Sequence, residues 1–153
     1  MAPALEARIA RLEAVEEIRK LKSLYCAYCD ESYNPDKLVT LFTEDATWAA
    51  PHRGRLEGRA AIHSFFSGIS KKIRFAAHLV MNDIIEVDGD RATGRWRMVM
   101  ASMEELDGRE VPVWSLGDYS EVYVKVGQAW KIKSIDVVID ILDPATSRWT
   151  RRR

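Results

Sequence analysis

The chain has 153 residues, 47% hydrophobic and 30% charged, with 23 Lys+Arg against 23 Asp+Glu. That length suits one domain around one core, and the even charge offers no footprint for nucleic acid or an acidic partner. No apolar run approaches the ~20 residues needed to cross a bilayer.

The N-terminus is charged and amphipathic, unlike a secretory signal. Two cysteines, Cys26 and Cys29, do not make a disulfide framework. A cytoplasmic, soluble protein is the default expectation. The closing Arg151–Arg153 run reads as a solvated tail. No repeat, low-complexity segment or linker divides the chain, so one domain is expected over 1–153, with its core at about 12–142 and a tail at 143–153.

The first third reads as helix. Pro3 suits a first-turn position. Leu5, Ile9, Leu12, Ile18, Leu21 and Tyr25 recur mostly at spacings of three and four, and the stripe runs on through Tyr28 and Cys29 to Asp30. Asn34-Pro35 is a helix start, cap followed by first-turn proline, and Leu38, Leu41 and Phe42 form the apolar side of a short second helix. After Asp45 the period changes. Ala46–Ala50 reads as a strand stopped by Pro51, with Gly54–Gly58 as its hairpin partner, and Ile62, Phe65, Phe66 and Ile69 mark a third helix. From Ile73 the chain is nearly all strand: 73–87, a turn at Asp88-Gly89-Asp90, 91–103, a turn at 106–109, 111–126, a turn at Gly127-Gln128, and 130–139. Helices followed by a meander of long strands make an α+β layout. Three N-terminal helices on a curved, mainly antiparallel sheet enclose a cone-shaped cavity, where a ligand would sit.

Several phrases in this order resemble the SnoaL-like branch of the nuclear transport factor 2-like superfamily: Tyr25–Asp30, Leu41–Trp48, Leu56–Ile62, His78, Val87–Asp90 and Trp130–Ile132. The resemblance implies a cone-shaped α+β barrel. It is closest to the group containing scytalone dehydratase, bile-acid 7α-dehydratase and hexachlorocyclohexane dehydrochlorinase, which use a histidine base paired with an aspartate. The matching positions here are Asp30 and His78. Tyr25 falls where the bile-acid enzyme also has a tyrosine, and where the dehydrochlorinase has a lysine. A further basic residue of the dehydrochlorinase has no match, which argues against halide elimination.

The residues themselves leave alternatives open. On a strand, His78 shares a face with Arg74, Ala76, Val80 and Asn82, opposite Phe75, Ala77, Leu79 and Met81. It is either a satisfied core histidine or a proton acceptor. Asp30 either ends its helix in a polar loop or is held by a partner, since a carboxylate is disfavoured at a helix C-terminus. Tyr25 is part of an apolar stripe or a donor to a substrate carbonyl, a role Tyr28, Tyr33 and Tyr119 can also fill. Cys26-x-x-Cys29 lies near the end of its helix, where the dipole does not favour a thiolate, and reads as paired core thiols. His52 is expected in an exposed loop and His63 on the polar side of the third helix.

The reading is therefore a lyase of dehydratase type without a cofactor or metal, acting on a hydrophobic cyclic or polyketide-like carbonyl compound. Catalysis falls to Asp30, His78 and Tyr25, and substrate binding to Trp48, Trp96, Trp114 and Tyr119. The rivals are an isomerase with the same base and a non-catalytic binding or assembly module. Adjacent apolar residues such as Ile84-Ile85 and Met98-Val99-Met100 make both sheet faces apolar, which implies a homo-oligomer, dimer or trimer.

Overall fold

An unbroken run of helix formers without Gly or Pro carries α1 over Leu5–Asp30. Its buried stripe is Ala14, Ile18, Leu21, Lys22, Tyr25, Cys26 and Cys29. Leu5, Ile9 and Leu12, read as part of the same stripe, are exposed, so the buried stripe of α1 begins only at Ala14. The computed structural model describes residues 4–51 and 53–144. The readings of Pro3, His52 and Arg151–Arg153 lie outside the described residues. Among the described residues no helix is long and apolar enough to cross a membrane.

The other elements are α2 (Pro35–Val39), β1 (Phe42–Ala50), β2 (Gly54–Glu57), α3 (Arg59–Ile69), β3 (Ile73–Asp88), β4 (Arg91–Leu106), β5 (Arg109–Val126) and β6 (Ala129–Pro144). Asn34 caps α2 as expected, its side chain accepting from Lys37 N at 3.1 Å. That helix is shorter than its apolar spacing suggests. Ile132 N donates to Leu41 O, and Phe42 pairs with Ile132, so β6 draws Phe42 into β1. Long-range pairing here overrides a local i, i+3, i+4 pattern.

The strands form one sheet in the order β2-β1-β6-β5-β4-β3. Every neighbour is antiparallel except β1 with β6. β2 and β3 are its two edges, so the curved sheet wraps the helices without closing. Ile18, Leu38, Ile62, Ile132 and Ile135 are wholly buried in the core.

Two irregularities shape the sheet. Register shifts between Ile73 and Phe75 and between Met81 and Ile84 break the alternation of β3 at its start and in its middle. Asn82 sits there at φ 55, in the left-handed region. Ala76, His78 and Val80 keep to one face, but Arg74 and Asn82 leave it and are exposed, contrary to the simple alternation. Opposite Leu116 and Gly117 of β5, β6 carries an extra residue, Asp140, and there the strands come so close that a Cβ on Gly117 would lie 2.0 Å from the Val138 carbonyl oxygen.

Gly117→Ala should therefore cost about 3 kcal/mol or more, because backbone atoms cannot yield cheaply. Gly68→Ala in α3, where the new methyl meets nothing within 4 Å, should stabilise by about 0.5 kcal/mol. Urea unfolding of the two variants reads both signs.

Candidate functional site

The concave side of the sheet, together with α1, α3 and the turn after α1, lines a cavity of about 420 Å³. One row across the inner sheet face contributes His78, Met100, Ser115 and Leu142, which lie side by side in register. Helix α1 contributes Tyr25 and α3 contributes Phe65, Phe66 and Ile69, while Trp48 comes from β1. The lining is mainly apolar and aromatic with a few polar groups, the usual make-up of a small-molecule site.

Asp30, the last residue of α1, reaches the edge strand β3. Its Oδ1 lies 2.7 Å from His78 Nδ1, and the same carboxylate accepts from the His78 backbone N at 3.0 and 3.2 Å. An ionised carboxylate only accepts, so the proton of the neutral imidazole is on Nδ1. Nε2 is left with its lone pair and takes part in no other hydrogen bond among the described residues. The His78 side chain is 6% exposed and that of Asp30 34%. Asp30 thus stands behind the histidine and does not itself line the cavity.

Just beyond Asp30 the chain makes a tight reversal. Ser32 and Tyr33 both have positive φ, 54° and 52°, a conformation that is uncommon for residues other than glycine. This turn swings Tyr33 inward. Its ring stacks on Phe66 at 5.9 Å and 12°, and meets His78 edge-on at 5.9 Å. Tyr33, backed by Phe66, thereby bears on the imidazole.

Tyr25 and Tyr119 are both buried and both line the cavity. Trp48 Nε1 donates to the Tyr25 hydroxyl at 3.0 Å, and Trp48 packs on Phe65 at 5.0 Å. Burial, above all, pushes the phenols of Tyr25, Tyr33 and Tyr119 well above the usual tyrosine range. They therefore remain neutral hydrogen-bond donors.

Two of the four residues read as substrate-binding do not reach the cavity. Trp114 differs from Tyr119 by an odd number of positions on one strand, so it points to the outer face and is 37% exposed. Trp96 does face inward, but it lies beside Tyr123, to whose hydroxyl its Nε1 donates at 3.0 Å, and it is core. Conversely, Ser115 lines the cavity and its buried Oγ has no partner among the described residues. Its even spacing from Tyr119 was the signal available for it. Arg53 and Glu104 also line the cavity, with Glu104 Oε1 accepting from Ser102 Oγ at 2.9 Å; single charged residues on a turn and near a strand end carry no such signal.

Two other clusters prove chemically quiet. Asp36, His63 and Ser67 align like a hydrolase triad on exposed faces of α2 and α3. The Ser67 hydroxyl, however, donates to the His63 carbonyl at 2.8 Å and is 3.5 Å from the ring. Cys26 and Cys29 are free and buried. Burial pushes the Cys26 thiol up to about 11 and the Cys29 thiol well above its normal range.

A protein-family model described as SnoaL-like domain matches residues 10–136. Among solved structures, a hexachlorocyclohexane dehydrochlorinase (LinA) of type 2 superposes with a TM-score of 0.83 at 17% identity, covering 94% of this chain and 97% of that one. A candidate scytalone dehydratase from Novosphingobium aromaticivorans DSM 12444 gives 0.78 at 22% identity, covering 90% and 91%. An NTF2-like protein with a cystatin-like fold, also from N. aromaticivorans, gives 0.71 at 25% identity, covering 89% and 88%. These likenesses establish the NTF2-like cone fold. No curated protein sequence matches significantly.

The thiols generate a test. Cys26 ionises less readily folded than unfolded, so the stability it contributes is present below an unfolded thiol pKa of about 8.5. That contribution is lost as pH rises toward about 11. Native protein at pH 8 should react negligibly with a thiol-specific disulfide reagent, while both thiols titrate in denaturant. The Cys26→Ala variant should show a weaker fall in unfolding midpoint above pH 9.

Proposed function

We propose, on the premise that this chain belongs to the SnoaL-like domain family, that it is a lyase of dehydratase type acting on a hydrophobic cyclic carbonyl compound. The observation that carries this reading is the Asp30 carboxylate held on His78 Nδ1 at the wall of an aromatic cavity. The names of neighbouring structures, dehydratase and dehydrochlorinase among them, agree with elimination chemistry.

In this mechanism His78 Nε2 removes a proton from the carbon next to the substrate carbonyl. The C–H electron pair moves into the enolate, and a tyrosine hydroxyl, Tyr25 or a neighbour, donates to the enolate oxygen. Asp30 stabilises the imidazolium and keeps its ring in place. As the enolate collapses, the C–O bond to a β-hydroxyl breaks and the imidazolium proton leaves with it as water. The neutral base is restored. An isomerase would return the same proton to another carbon.

The experiment follows deuterium incorporation and dehydration of a panel of polycyclic β-hydroxy ketones by NMR. His78→Ala should lower both rates by about 10²–10⁴-fold. Asp30→Asn, which keeps an acceptor but loses the charge, should lower them by about tenfold or more with KM little changed. A His78→Ala protein that exchanges and dehydrates at the unaltered rate ends the reading.

We further infer that the protein is a homo-oligomer, dimer or trimer. Phe75, Leu79 and Met81 of β3 alternate outward, and Trp114 and Ile141 join them on the outer sheet face, all exposed. Scattered exposed apolar residues are ordinary, but a contiguous face of them is covered in most soluble proteins. Light scattering at micromolar concentration should give two or three times the chain mass, and Leu79→Lys should reduce it. A monomeric unaltered protein contradicts this.

A further inference from the structure

Behind the cavity wall lies a second polar cluster that the proposed mechanism leaves unused. Lys22 of α1 and Glu121 of β5 form an ion pair with both side chains wholly buried. The other oxygen of Glu121 accepts from the Tyr123 hydroxyl, which in turn accepts from Trp96 Nε1 at 3.0 Å. Space for Tyr123 and Trp96 exists because residue 94 is glycine: a Cβ there would come within 2.8 Å of Tyr123 Cε2. The chain of contacts ends at the cavity, since Lys22 Nζ lies 3.3 Å from the Tyr119 ring centroid and 4.7 Å from that of Tyr25.

Stability is a poor reason for such a pair. Desolvating two charges costs several kcal/mol, and apolar residues of similar volume are often as stable or more so. What the pair does achieve is to fix an ammonium against the face of a cavity phenol, in surroundings that screen it little.

The hydroxyls of the cavity differ in how they are occupied. Tyr25 accepts from Trp48, and Tyr33 is directed at the Met100 sulfur at 3.9 Å. Tyr119 lines the cavity, yet its hydroxyl takes part in no hydrogen bond among the described residues.

We propose that Tyr119 is the hydrogen-bond donor to the negative charge that develops on a bound carbonyl or phenolic oxygen, and that Lys22, held by Glu121, is the positioning residue that strengthens it. The ammonium draws electron density from the ring and opposes the charge that arrives at the hydroxyl. Tyr123 and Trp96 complete the support by holding Glu121 on its other oxygen. The proposal rests on the reading of the cavity as a site where an enolate forms, and it adds the donor and its source of strength.

The test uses 2-naphthol and its more acidic derivatives, whose neutral and ionised forms absorb differently, as mimics of the enolate. Bound to the unaltered protein, the naphthol should be more ionised than in water at the same pH. Tyr119→Phe should lower the ratio of bound naphtholate to naphthol, and more than Tyr25→Phe does. Lys22→Met with Glu121→Gln removes both charges and keeps an acceptor for Tyr123. It should lower the ratio about threefold or more without a matching fall in melting temperature. Tyr119→Phe keeps its ring and reads the donor even where the double variant does not fold.

An unchanged ratio in Tyr119→Phe, or in a folded double variant, overturns the proposal. If only His78→Ala changes the ratio, the base stands and this inference fails. If the Tyr119 and Lys22 variants change it while no ketone exchanges its α-proton, the inference stands and the dehydratase reading fails. Failure of the unaltered protein to bind any naphthol overturns both.

Discussion

The carboxylate of Asp30 joins the end of the long helix to the edge of the sheet through three contacts to a single residue, His78. An edge strand exposes unpaired N–H groups, and a helix terminus is a poor place for a carboxylate. Each defect resolves the other. The backbone N–H of His78 gains an acceptor, and Asp30 gains donors that offset the negative end of α1. Because the same carboxylate also takes Nδ1, the contact that docks helix on sheet also sets the tautomer and direction of the imidazole. Loss of Asp30 would therefore loosen both the packing and the proposed base.

Around that contact the molecule is organised as layers of aromatic rings. Tyr33 lies against the imidazole with Phe66 stacked behind it, while Trp48 and Phe65 form a second wall. Tyr25 meets Phe42 and Tyr119 edge-on at 6.1 and 6.2 Å. Rings supply large apolar area with few rotatable bonds, so the cavity keeps its shape without many polar contacts. The polar groups that remain are the imidazole, the phenols and Ser115 on the walls, with Arg53 and Glu104 also lining the space. A mainly apolar wall with a few polar groups is the usual make-up of a small-molecule site.

The two faces of the sheet do different work. Inner positions of β5 alternate through Val113, Ser115, Gly117, Tyr119, Glu121 and Tyr123, all buried, while Trp114, Leu116 and Asp118 face out. Arg97 pairs with Asp118 at 3.2 Å and Asp140 at 3.1 Å on that outer side, next to the apolar residues. The bulge at Asp140 of β6, opposite Gly117, is also what places Ile139 and Leu142 on the cavity wall.

Much of the fold was legible because it is written in short-range chemistry. The helical stripe of α1 from Ala14, the Asn34-Pro35 cap and the Asp88-Gly89 hairpin all depend on residues within a few positions of one another. The alternation of β5 was equally readable, and it already excluded Trp114 from the face of Tyr119. The meeting of Asp30 with His78 was not readable from spacing; only the resemblance to a family pointed to it. Residues 48 positions apart, like Lys22 and Glu121 at 99 apart, are joined only when the sheet wraps around the helix. Tertiary structure likewise decided that Phe42 is strand, and that Arg74 and Asn82 leave the face of His78. A single extra residue at a bulge reverses the side of every later residue, and no local preference records where a neighbouring strand will demand it.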